Sequence, residues 1–178
     1  MDNFAEQLVK RNETSSDKKR KNALLIVGIL LTLSMAAFAV MQLGAPVRAF
    51  FGLLLAAACG YGTFFTYRNS FVEYEYAFTN GELDIDKITA KSKRTPMVST
   101  EVRQFTDFGK YDENIKETEE MTLIMATDNI ASHEYYADFT HEEHGKTRLI
   151  FSPDERMLEN IGKFLPAKLR TKQYGNEE

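Results

Sequence analysis

FVEYEYAFTNGELDIDKI, residues 71–88, decides what the soluble part of the chain becomes. Val72, Tyr74, Tyr76 and Phe78 alternate with Glu73, Glu75, Ala77 and Thr79, so an extended strand here has one apolar and one polar face. Asn80-Gly81 follows, a dipeptide suited to a type I′ turn because both central residues of that turn need positive φ. The returning strand runs over 82–89. A two-residue turn sets the register: Phe78 meets Leu83, Tyr76 meets Ile85 and Tyr74 meets Lys87, which gathers aromatic and aliphatic side chains on a shared face. On the other face Glu75 falls opposite Asp86, a like-charge pair read as part of a solvated surface rather than as a cation site.

Toward the N-terminus the period changes from two to none. Residues 23–43 and 49–67 are two uncharged apolar runs separated by Gly44-Ala45-Pro46-Val47-Arg48. As helices they extend about 31 and 28 Å at 1.5 Å per residue, enough to cross the hydrocarbon of a bilayer. Lys10, Arg11, Lys18, Lys19, Arg20 and Lys21 precede the first run, whereas the connection between the runs carries only Arg48. Basic flanks stay in the cytoplasm, so the pattern predicts a two-span protein of the cell membrane with both termini cytoplasmic. Small residues recur every four positions, Gly28, Thr32 and Ala36 in the first run and Gly52, Ala56 and Gly60 in the second. Such stripes let helix backbones approach, either within the hairpin or against a second copy. Neither run contains an ionisable Asp, Glu, Lys, Arg or His, which argues against a transporter or channel.

Ahead of the runs, Phe4, Ala5, Leu8 and Val9 stand at helical spacing with Asp2 and Glu6 opposite, and predict a short amphipathic helix on the membrane surface or a partly ordered tail. Residues 12–17, rich in Ser, Thr and Asn, read as a flexible joint. Beyond residue 88 the alternation predicts strands near 93–100, 102–110, 121–127, 133–140 and 147–151, with 111–120 as an acidic connection. Ser152-Pro153-Asp154-Glu155 predicts a helix start with Ser152 as N-cap, Pro153 at the first helical position and Glu155 closing a capping box. Met157, Leu158, Ile161, Phe164 and Leu165 form the apolar stripe of that helix, and Pro166 ends it. The expected divisions are a cytoplasmic segment over 1–22, a membrane hairpin over 23–67, a soluble domain over 70–166 and a frayed tail over 167–178.

Of the 178 residues, those after 67 suffice for a single core. The net charge of −4 is unevenly split. Residues 1–68 hold eight Lys/Arg against four Asp/Glu, and 69–178 hold fourteen against 22. An acidic soluble half argues against nucleic acid, which requires a basic stripe. The single cysteine, Cys59, lies within the second apolar run and excludes a disulfide framework or a thiolate zinc site.

His133, His141 and His144 are the only histidines. His141 and His144 are three apart beside Gly145, whereas the helical zinc-protease motif needs them four apart, so a polar hairpin turn is the expected reading. No phosphate loop or nucleophile motif accompanies them. The sequence therefore predicts no catalytic residue, no cofactor and no metal.

Seven antiparallel strands followed by one amphipathic helix resemble the pleckstrin-homology-like (PH-like) fold. Two spans leading into residues 71–88 resemble a family of two-span bacterial membrane proteins with a cytoplasmic domain of that kind. The resemblance implies an α+β membrane protein: a transmembrane helical hairpin, then a seven-stranded antiparallel PH-like barrel with a C-terminal helix. Lipid-binding members of the wider fold use a long basic loop between the first two strands, and here that loop is only Asn80-Gly81. Lys91, Lys93 and Arg94 are the nearest basic group for contact with anionic lipid. The expected role is a membrane-anchored, non-enzymatic interaction or scaffold module, with the bilayer and a protein partner or its own copy as partners. The alternatives are a hydrolase or metal-dependent enzyme using the 133–144 region, and a sensor of membrane state.

Overall fold

The computed structural model describes residues 3–112 and 121–174. The chain divides into two compact units: Glu13–Phe71, and the residues before it together with those from Val72 onward.

The first unit is a helical hairpin, α1 (Ser15–Met41) and α2 (Pro46–Asn69). Ser15–Asp17, expected in a flexible joint, instead form the first turn of α1, because Asp17 Oδ2 accepts the Thr14 N–H at 3.3 Å and closes the helix start. Both helices are long and apolar enough to span a membrane. Most of their apolar side chains are exposed on the unit, among them Ile26, Val27, Leu33, Phe50 and Phe64. The helices meet through small residues. A Cβ at Gly28 would collide with the Thr63 side chain, one at Gly52 would lie 2.8 Å from the Ala39 Cβ, and Gly60 approaches Thr32. At the open end of the hairpin Lys21 pairs with Glu13 and lies 3.7 Å from the centre of the Phe71 ring.

The second unit is α+β. One sheet has the order β1-β2-β3-β4, comprising β1 (Phe4–Lys10), β2 (Val72–Thr79), β3 (Glu82–Thr89) and β4 (Lys93–Glu101). The other has the order β5-β7-β8-β6, comprising β5 (Asp107–Lys110), β6 (Thr122–Ala126), β7 (Tyr135–His141) and β8 (Gly145–Phe151). The β2–β3 hairpin has the register read from its sequence, with Phe78 opposite Leu83, Tyr76 opposite Ile85 and Glu75 opposite Asp86. Asn80 and Gly81 both take positive φ, 51° and 103°, as a type I′ turn requires.

Five expectations about the strands are corrected. Residues 4–10 form not an amphipathic helix but strand β1, antiparallel to β2 from Phe4 opposite Thr79 to Lys10 opposite Glu73. The described strands therefore number eight rather than seven, and they form two sheets rather than one closed barrel. Pairing is not all antiparallel, because β6 runs parallel to β8. The expected strand over 102–110 is interrupted by a 3-10 turn, Val102–Gln104. Val102 and Phe105 are buried there and carry the chain from one sheet to the other.

The helix after β8 also starts differently. Ser152 is buried and donates its hydroxyl to Asp128, so it does not cap. Asp154 is the N-cap of α3 (Glu155–Phe164), its Oδ1 accepting the Met157 N–H at 2.7 Å. Met157, Ile161 and Leu165 are fully buried, and Leu158 and Phe164 pack against the same core. Residues 167–174, expected to fray, form α4 (Ala167–Tyr174), with Leu169 buried in that core. The acidic connection lies outside the described residues from 113 to 120.

Candidate functional site

Lys91, Lys93 and Arg94 lie at the β3–β4 turn and are exposed. Ala90 and Lys91 take positive φ of 54° and 58°, a conformation that turns the chain sharply between the strands. Arg94 reaches across the sheet and donates to Glu75 Oε1 at 3.0 Å. The basic group is therefore partly engaged by a carboxylate two strands away.

The histidines fall in two places. His133, in the 3-10 turn Ala131–His133, sets Nδ1 3.0 Å from Asp128 Oδ2. His141 and His144 stack across the β7–β8 turn with ring centroids 4.9 Å apart, and His141 Nδ1 accepts the Glu143 N–H. Among the described residues no three His, Cys, Asp or Glu side chains converge as metal ligands would. Beside this turn lies an open recess of about 250 Å³, lined by Glu82, Glu101, Glu142, Glu143 and His141 among others. Glu82 and Glu101 sit directly opposite each other on β3 and β4. Like charges so placed repel, and the recess favours positively charged contacts.

Two polar networks escape the sequence reading. In the first, the Tyr76 hydroxyl donates to Ala126 O and accepts the Ser152 N–H. Ser152 then donates to Asp128 Oδ1, and the Asp128 carbonyl accepts the Asn12 N–H at 2.9 Å. This network ties the end of β8 to the residue at which the chain leaves for the helical hairpin. Burial raises the Tyr76 phenol well above its ordinary pKa, against the opposing effect of the Ser152 N–H.

In the second, Arg148 Nε and Nη2 donate to Asp138 Oδ1 and Oδ2 at 2.7 Å each, a bidentate pair buried between directly opposed residues of β7 and β8. The guanidinium lies 5.0 Å from the Tyr136 ring centre, and the Tyr136 hydroxyl donates to Asp107 Oδ2. Most members of both networks stand far apart in the chain, and Asp138 and Arg148, ten apart on one hairpin, meet through its strand register.

Burial, reinforced by the hydrogen bond and charge of Asp107, pushes the Tyr136 phenol up to about 12 from 10.0. The folded chain therefore keeps a proton that the unfolded chain releases. This contribution to stability is fully present below pH 10 and is lost as pH rises through 12. Urea unfolding at pH 9 and pH 11.5 should show a fall in midpoint that is smaller for Tyr136→Phe; an equal fall in both proteins would refute this assignment.

A family model described as Bacterial PH-like domain (DUF6106) matches residues 1–171. The match takes in the first strand, the helical hairpin and the two sheets together. No curated protein and no solved structure matches the chain.

Proposed function

Because the chain belongs to the bacterial PH-like domain family, we propose that it is a membrane-anchored interaction module: the helical hairpin holds the PH-like unit at the cytoplasmic face, where it binds a protein rather than turning over a substrate. One observation carries the topology. The hairpin is inserted between two strands that pair along their whole length, with Lys10 opposite Glu73 and the Arg11 N–H on Val72 O. Both ends of the hairpin thus join the same folded unit at neighbouring residues, which supports a path that returns to the side from which it left. Two crossings do this, and one does not. The excess of cations before α1 over the lone Arg48 supports the cytoplasmic side.

The binding role is supported by the sheet architecture. Among the described residues β4 pairs only with β3, leaving an edge of the kind that accepts a partner strand. The acidic recess beside it suits a basic partner.

The experiment is cysteine labelling in a Cys59→Ser background. Ala45→Cys, between the helices, should react with a membrane-impermeant maleimide added to intact cells, and Ser99→Cys, exposed on β4, only after lysis. The reverse pattern would overturn the orientation. Release of the chain by an alkaline wash would overturn the anchor.

A further inference from the structure

Strand β1 is held in the PH-like unit much as a bound peptide would be. Its inward residues Ala5 and Val9 are small and buried. Between them Gln7 spends its side-chain amide on the main chain of the β8–α3 corner, Nε2 donating to Ser152 O at 3.0 Å and Oε1 accepting the Asp154 N–H at 2.9 Å. Arg156 donates to Phe4 O at 3.2 Å, the Asn80 N–H donates to Asn3 O at 2.9 Å, and the Asn3 N–H to Asn80 Oδ1 at 3.2 Å. Main-chain pairing along a sheet edge, with one side chain read by a neighbouring corner, is the strand-addition mode of peptide recognition. β1 also differs from β3 in how it joins β2: the two are separated by the whole of residues 13–71 rather than by a tight turn. No turn geometry therefore dictates whose first strand fills the groove between β2 and α3.

We propose that this groove is a strand-binding site for residues 3–11 of a second copy of the chain, so that two copies exchange their first strands. The inference rests on the anchored-module reading above and names its partner. A second copy carries the identical segment, so exchange preserves every contact just described, which makes it a low-cost route to a dimer. Confinement of both copies to one bilayer raises their effective concentration and favours the exchange. The link over residues 12–14 reaches at most about 11 Å when extended. Only an immediately adjacent copy can accept the strand, and a reciprocal exchange between two such copies closes at two.

Leu8 and Glu75 are directly opposed partners in the β1–β2 register, and cysteines at opposed antiparallel positions lie within disulfide range. In the Cys59→Ser background, a Leu8→Cys chain co-expressed with a Glu75→Cys chain should give a disulfide-linked heterodimer on mild oxidation of membranes. It should be several-fold more abundant than from Leu8→Cys paired with Ser99→Cys, which lies on the far edge of the same sheet. A yield no greater than that of the control pair, while a single chain carrying both Leu8→Cys and Glu75→Cys closes internally, would show that each copy keeps its own strand and would overturn the proposal. Failure of both crosslinks would refute the register itself, and the proposal with it. Fractionation of the same membranes reports the anchor separately. A chain retained in the membrane without heterodimer loses the exchange and keeps the anchored reading, whereas a chain released to the soluble fraction loses the anchor.

Discussion

Deleting residues 3–11 from the full chain should unfold the PH-like unit while leaving α1 and α2 helical. The deletion removes the whole β1–β2 ladder, Ala5 and Val9 from the core, and the Gln7 bonds to Ser152 and Asp154. It also bares the inward faces of Tyr74 and Tyr76 and the flank of α3, surface that β1 keeps from water. Loss of the two inward apolar side chains alone is worth about 2–4 kcal/mol at roughly 25 cal/mol per Å². The unmade strand hydrogen bonds add to it, against a total stability of only about 5–15 kcal/mol for a domain. Limited proteolysis of the full chain in detergent checks this. In the intact protein β2, β3, β7, β8 and α3 should resist cleavage, and in the deletion variant they should be cut readily while its far-UV helical signal persists. A deletion variant with unchanged protease resistance would mean that β1 is an accessory strand and not part of the fold.

Arg148→Met should be the most damaging single substitution outside the apolar core. Asp138, only 8% exposed, would be left with its bidentate partner gone. Breaking a buried pair from one side costs about 3–5 kcal/mol, because the remaining charge is neither solvated nor compensated. At the several degrees per kcal/mol typical of a domain of this size, the melting temperature should fall by on the order of 15 °C. The mechanism makes a second demand. Arg148→Met combined with Asp138→Leu should be more stable than Arg148→Met alone, since an apolar pair of similar volume removes the stranded charge. Calorimetry on the wild type, Arg148→Met, Asp138→Leu and the double variant decides it, and additive losses in the double variant would rule out a coupled pair.

The contrast between β1 and β2 shows why some elements were legible in the sequence and others were not. β2 repeats with period two over eight residues and ends in Asn80-Gly81, so its structure, partner and register follow from local rules. β1 has seven residues, and Ala5 and Val9 are four apart, a spacing that serves an inward strand face and a helical stripe equally well. Which one forms depends on the open edge of β2, and that edge is more than sixty positions away in the chain. Ser152 and Asp154 are a similar case. Both are good cap residues, and the choice between them was made by Asp128, which engages the Ser152 hydroxyl. The β6–β8 pairing is parallel because of how the chain returns to the second sheet, which alternation within either strand cannot reveal.

For the candidate site the division is sharper still. The exposure of Lys91, Lys93 and Arg94 in a turn follows from composition and position, but the engagement of Arg94 by Glu75 does not. The separation of His133 from the stacked His141 and His144 depends on where two turns land in space.

Local chemistry alone determined the two apolar helices, the β2–β3 hairpin and the buried stripe of α3, because hydrophobic period and turn stereochemistry act between residues close in the chain. Tertiary structure alone decided that a strand lying before the helical hairpin completes the sheet behind it, that Tyr136 meets Asp107, and that the strands form two sheets. Those outcomes are fixed by which distant edges and charges are left unsatisfied once the local elements have formed, and only the folded chain brings their partners within hydrogen-bonding distance.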